Sequence, residues 1–352
     1  MKISLIFFVL MFVGCSGFCD PCVSNALEKR SFSFDYSVEI PATHGKKLEV
    51  WLPLPQTNEV QTISNIKITA DDLSYKIMED YVHGNSYLYL ISEIGLEKTT
   101  QVSFSFDVNR SEHKNEHYAG VMSHNYLGSY LMVPTGQMFT NIINKNQLTK
   151  SDMRAVYDFV LSGMHYGKPK SIQDKYYQNP WLNVDSRYGE KKVSRDEVVS
   201  LYQQAVEDGG NYTFGNGNSV YACDIGVGNC TDYHSYFMSL GRTMDVPVRF
   251  HMGFPIPEAE AGIVGGYHCW ADYFVDGEGW YPVDISEADK EPAKIDYFFG
   301  TVCKNRVEMT VGRDIELEGY ENKTANLFIY PIVEVDDIES TNFTKTFSYK
   351  NI

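Results

Sequence analysis

The sequence predicts an α+β protein in which helices pack on an antiparallel sheet, preceded by an all-β module. Two changes of period carry that expectation. From Phe32 to Ile40 the apolar residues fall at every second position (Phe32, Phe34, Tyr36, Val38, Ile40), and Val102, Phe104, Phe106 and Val108 repeat the pattern, as half-buried strands do. Later, Met153, Val156, Val160 and Met164 follow helical spacing, and strand-like runs return only after Pro247. Helices first and strands afterwards suit helices layered on one antiparallel sheet.

The elements follow in order. Residues 30–112 read as the β module, because Leu48 to Leu52, closed by Pro53 and Pro55, and the aromatic run Tyr87 to Ile91 lie between the two alternating stretches. Binding or docking is its expected role. Residues 116–305 read as the core. Ser151 can cap a helix that runs to about Gly163. Ser194 with Glu197 makes a capping box for a second helix, ended by Gly209-Gly210. A third helix starts at Cys230, shows the stripe Tyr233, Phe237, Leu240 and Met244, and stops at Pro247. Strands are expected at Val248–Phe254, Tyr267–Phe274 and Trp280–Ile285, and residues 306–352 form a C-terminal β tail.

At the N-terminus, Lys2 precedes an apolar run from Ile3 to Val13, too short to span a bilayer and shaped like a signal-peptide core. Residues 1–19 are therefore expected to be a signal peptide and the chain to be exported. Phe12-Val13-Gly14-Cys15 resembles a bacterial lipobox, with cleavage before Cys15 giving a periplasmic or outer-membrane lipoprotein; a cut after Gly17 or Cys19 would instead leave a soluble periplasmic or secreted protein. The 352 residues are 43% apolar and 14% aromatic, enough to fill real cores. Lys and Arg total 30 against 46 Asp and Glu, and the net charge of −16 offers no footprint for nucleic acid or an anionic membrane surface. A membrane is then met only through a lipid anchor. Of seven cysteines three lie in the processing region, and the remaining four, Cys223, Cys230, Cys269 and Cys303, do not make a disulfide scaffold in so large a chain.

The chemistry-bearing residues are Cys230, His268 and Asp284. Gly226-Val227-Gly228-Asn229 delivers the chain to Cys230 at a helix N-terminus, where unpaired N–H groups and the helix dipole favour a thiolate and can hold an oxyanion. A lone free cysteine is more often buried and inert. His268 opens a strand after Gly265-Gly266-Tyr267, and Asp284 follows Trp280-Tyr281-Pro282-Val283. Together they supply a nucleophile, a proton carrier and a carboxylate that fixes the imidazole tautomer. A three-residue loop Val275-Asp276-Gly277 would set His268 directly opposite Asp284 in a hairpin. Zinc binding by Cys223, Cys230, His268 and Cys269 lacks metal-ligand spacing, so neither metal nor cofactor is expected.

Four blocks, Gly228-Asn229-Cys230-Thr231-Asp232-Tyr233-His234, Val246-Pro247-Val248-Arg249-Phe250, Gly266-Tyr267-His268-Cys269-Trp270-Ala271 and Gly279-Trp280-Tyr281-Pro282-Val283-Asp284, resemble in order and spacing those of the bacterial transglutaminase-like superfamily. The resemblance spans roughly residues 150–305. It implies a papain-like core with Cys230 as nucleophile, His268 as general acid and base, and Asp284 as the orienting carboxylate. The expected function is thiol-dependent acyl chemistry on a peptide or protein amide, by hydrolysis or transfer; a non-enzymatic envelope binding or scaffold protein of the same fold is the alternative. The loop Phe214-Gly215-Asn216-Gly217-Asn218 is a candidate for oxyanion donors, beside the blander reading of a solvated turn. Trp270, Trp280 and Tyr281 read as core aromatics, Arg249 as the partner of a carboxylate, Cys269 as a small core residue, and Asp232 and His234 as either helix-end or supporting residues.

Overall fold

The structure, a computed structural model, describes residues 27–71, 73–167, 214–320 and 324–352. The signal-like segment with Cys15 and the expected Ser194–Gly210 helix lie outside the described residues.

The alternation of Phe32 to Ile40 becomes the strand Lys29–Ile40, with all five apolar positions buried. It pairs with Thr100–Ser111 so that Phe34 meets Phe106 and Tyr36 meets Phe104, the latter rings stacked 4.7 Å apart. On its other side lies Thr344–Asn351, from the far end of the chain. This five-stranded sheet runs Ala261–Ile263, Thr344–Asn351, Lys29–Ile40, Thr100–Ser111, Gln61–Thr69. A second runs Ile338–Glu339, Ile332–Val335, Leu48–Pro53, Ser86–Ser92, Ser74–Glu79. Leu48–Pro53 is buried on both faces. Leu48, Val50 and Leu52 join the main core, while Trp51 heads a separate cluster with Tyr87, Ile315, Leu317 and Phe328. The C-terminal segment is thus divided between layers. Its last strands complete the β sheets, whereas Arg306–Val311 is an edge strand of the core sheet.

That core sheet is antiparallel, in the order Gly279–Val283, His268–Val275, Val248–Pro255, Arg306–Val311. Helices Gln137–Asn146, Met153–Gly163, Ser219–Ile225 and Cys230–Thr243 belong to the same core, giving the expected α+β architecture. The Met153 helix is capped by Asp152, not Ser151: its carboxylate accepts from the Ala155 N–H. Cys230–Thr243 is buried from its first residue to Arg242, so each of its polar side chains needs a partner. Ser235 accepts from Arg313 at 2.7 Å, Ser239 donates to Ser219 at 2.7 Å, and Arg242 donates to the carbonyls of Gly128 and Val248.

The hairpin between the last two blocks closes differently from the expected loop. Val275 pairs with Gly279 and Phe274 with Trp280, leaving Asp276-Gly277-Glu278 as the loop. Gly277 (φ +76°) and Gly279 (φ +100°) both take left-handed backbone, and a Cβ at Gly279 would approach the Glu116 carbonyl oxygen to 2.6 Å. The second glycine moves the closure along by one position on each strand. Parity is unchanged, so His268 and Asp284 keep one face and Cys269, Ala271 and Tyr273 the other.

Candidate active site

Asn229 caps the Cys230 helix: its side chain accepts from the Thr231 N–H, and Asp232 reaches back to the Asn229 N–H at 3.0 Å, a reciprocal capping box. Asp232 does more than close the helix. Its carboxylate also accepts from the N–H groups of Gly215 at 3.0 Å and Gly217 at 3.1 Å. Those two amides are spent, so they do not serve as oxyanion donors. The loop is no solvated turn either, because Arg313 holds the carbonyls of Asn216 and Gly217, both at 3.1 Å. Burial pushes the Asp232 carboxyl up to about 7 against the pull of these amides.

His268, at the first position of its strand, donates from Nε2 to Asp284 Oδ2 at 2.7 Å. Asp284 leaves the ladder after Val283 and caps the helix Ile285–Lys290, accepting from the Glu287 N–H and the Ser286 hydroxyl through Oδ1. The His268–Asp284 contact is therefore diagonal across the hairpin, not directly opposite, and both groups are nearly inaccessible at 3% and 0% exposure. Burial opposes the imidazolium, yet the Asp284 charge raises His268 to about 9, and His268 in turn holds Asp284 below the usual carboxylate range despite its burial. Cys230 completes the group. Burial disfavours its thiolate, but the side chains of Cys269 and His268 and the charge of His268 outweigh it, and the thiol falls well below its ordinary range. The three sequence-selected residues come together, each from a different element.

Several contributors carried no clear catalytic signal in the sequence. His234 donates from Nδ1 to the Cys230 carbonyl at 2.7 Å and accepts at Nε2 from the Ile285 N–H at 3.0 Å. It is a neutral imidazole, lowered by burial, and it ties the nucleophile's turn to the peptide after Asp284. Glu287 Oε1 lies 3.9 Å from His268 Nδ1, and Arg306 lies 3.5 Å from Asp284 and 3.8 Å from Glu287. Tyr267 takes a hydrogen bond from the Asn229 amide at 3.2 Å. A cavity of about 640 Å³ opens on this side, with Glu287, Arg306, Phe298 and Val264 in its wall.

Arg249 pairs with Asp272 through two contacts, one of 2.9 Å, between the rings of Tyr118 and Trp280 at 4.1 and 4.2 Å. Trp270 and Trp280 are core residues, and Tyr281 is half-buried with its hydroxyl on Glu278. Among the described residues, the group whose ligand atoms approach one another is His268, Asp284 and Glu287, not the four residues weighed for zinc. The Arg306 guanidinium already stands beside both carboxylates, so this trio does not suit a cation.

An α+β chain with a buried cysteine, histidine and aspartate on one helix start, one strand start and one strand end defines a class. Residues 183–285, a span that holds Cys230, His268 and Asp284, match the transglutaminase-like superfamily. A protein of Haemophilus influenzae, described as uncharacterized, is 29% identical over 356 residues, covering 90% of this chain and 89% of its own. Among solved structures, one from Cytophaga hutchinsonii, described as a candidate cysteine protease, covers 92% of this chain and 100% of its own at 10% identity and a TM-score of 0.49. The periplasmic domain of TgpA from Pseudomonas aeruginosa covers 76% of this chain and 90% of its own at 11% identity and a TM-score of 0.31.

Proposed function

We propose that the protein performs thiol-dependent acyl chemistry on a peptide or protein amide. One observation carries this reading: the buried His268–Asp284 pair, 2.7 Å long, beside a thiol at a helix N-terminus that favours its ionised form. The Cys230 thiolate attacks the amide carbonyl. His268, as imidazolium, protonates the departing amine, and a Cys230 thioester remains. Water, deprotonated by the now neutral imidazole, or an amine then releases the acyl group. Asp284 fixes the imidazole's orientation and stabilises its charged form. The Cys230 N–H at the helix start is the donor this reading assigns to the developing oxyanion, because the Thr231, Asp232 and Tyr233 N–H groups already bond to Asn229. Hydrolysis is the default outcome, since transfer needs a site that excludes water and binds an amine. The apolar run Ile3–Val13 behind Lys2 supports export of the chain, as a lipoprotein through Cys15 or as a soluble protein.

The test offers the purified protein a mixed peptide library with and without a primary amine and reads cleavage, ammonia release and amine incorporation by mass spectrometry. At least one of these is expected, and it should be absent in Cys230→Ser. Turnover that survives Cys230→Ser, or none in any arm, would contradict the acyl chemistry and favour the scaffold alternative.

A further inference from the structure

Two thiols meet at this site, and only one is used by the acyl chemistry. Cys269 follows His268 directly, so strand alternation turns its side chain to the opposite face, toward the helix that carries Cys230. It is fully buried there. Its sulfur lies 3.9 Å from His234 Nδ1, the same nitrogen that donates to the Cys230 carbonyl. The Cys230–Thr243 helix packs on the His268–Val275 strand, and the two thiols act on each other's ionisation, Cys269 lowering Cys230 and Cys230 raising Cys269. Neither belongs to a disulfide, nor do Cys223 and Cys303.

We propose that Cys230 and Cys269 form a peroxide-reactive thiol pair in which Cys269 resolves oxidised Cys230 as an intramolecular disulfide. Three features carry this. Cys230 is placed for ionisation at a helix start beside His268, and a thiolate is the form that peroxides oxidise. Cys269 is fixed on the strand face that packs on the Cys230 helix, by its pairing with Met252 and its contact with His234. Burial and the neighbouring Cys230 keep the Cys269 thiol protonated, so the pair divides into one attacking and one resolving sulfur.

The chemistry closes without further reactants. The Cys230 thiolate attacks a hydroperoxide oxygen: an S–O bond forms, the O–O bond breaks, and the alkoxide or hydroxide leaves with the proton of the His268 imidazolium. Cys230 is now a sulfenic acid, oxidised by two electrons. The Cys269 sulfur then attacks the Cys230 sulfur, the S–S bond forms, the S–O bond breaks, and hydroxide leaves with the Cys269 proton as water. The disulfide blocks the nucleophile reversibly, whereas an unresolved sulfenic acid would pass to the irreversible sulfinic state.

The experiment exposes reduced full-length protein to a small excess of hydrogen peroxide, alkylates the remaining thiols and maps the peptides without reduction. The expected result is a cross-linked peptide joining Cys230 to Cys269, lighter by two hydrogens and released by dithiothreitol, with Cys223 and Cys303 still alkylated. Under the same treatment Cys269→Ala should accumulate sulfinic acid at Cys230 that dithiothreitol does not recover. Sulfinic acid at Cys230 in the native protein with Cys269 alkylated, or a cross-link from Cys230 to another cysteine, would overturn the proposal. Because the masses of the native protein's peptides decide it without any substrate, the thiol pair stands or falls separately from amide turnover.

Discussion

Replacing Asp284 by Asn separates charge from scaffold. Asparagine caps helices about as well as aspartate, so the turn into Ile285–Lys290 keeps an acceptor for the Glu287 N–H that Asp284 now satisfies. What the variant loses is the negative charge at the end of the 2.7 Å contact. Raising the imidazole from 6.5 to about 9 corresponds to roughly 3 kcal/mol of preference for the imidazolium. If that preference is expressed in the transition state, its loss lowers turnover by about 10²–10³, and a misplaced tautomer can extend the loss toward about 10⁴. The assay pairs kcat on a peptide from the library with the pH dependence of Cys230 alkylation. In the native protein the alkaline change should centre near pH 9, and in Asp284→Asn it should move down toward 6.5 with the circular dichroism spectrum unchanged. A variant that keeps full turnover, or keeps its alkaline change near 9, would refute the role given to Asp284.

The same pair predicts a stability trend. A histidine raised in the folded state contributes stability that is complete below its unfolded value near 6.5 and is lost as pH climbs through about 9. The urea midpoint should fall across that window in the native protein and stay nearly flat in Asp284→Asn. Asp232 has the opposite sign from an ordinary carboxylate: raised from 3.8 to about 7, it lets stability fall as pH rises from about 4 to about 7, a slope that Asp232→Asn should remove. That variant should also cost about 1–3 kcal/mol by orphaning one of the three amides that Asp232 now holds, measured by urea unfolding at about pH 8. Asp272→Asn should cost about 3–5 kcal/mol, since it leaves the buried Arg249 guanidinium without its counter-charge.

The three candidate side chains were legible because their signals are local: glycines before a helix start, a histidine after Gly265-Gly266, an aspartate ending a strand. The strand Lys29–Ile40 was legible from its alternation. The pairing of that strand with Thr344–Asn351 was not, because nothing within either segment specifies a partner more than 300 residues away. The hairpin register failed by one position per strand where two nearby glycines, Gly277 and Gly279, could each take left-handed backbone. Asp232 and His234 stayed ambiguous for a different reason. A polar residue in the first turns of a helix is ordinarily a solvated cap, and only a helix buried on every side turns it into a brace for a loop or a strand end. Arg306 and Glu287 reach the site from segments that carry no motif of their own.

The most direct measurement of the central claim is the order in which the body cysteines alkylate. Cys303 is the more accessible thiol, half-buried where Cys230 is only 2% exposed, so accessibility alone would favour Cys303. With limiting iodoacetamide at about pH 6–7, read by peptide mass spectrometry, Cys230 should be modified first, and Asp284→Asn and His268→Ala should slow it severalfold or more. Preferential modification of Cys303, Cys223 or Cys269, or a Cys230 rate indifferent to His268, would contradict an activated thiol at this site.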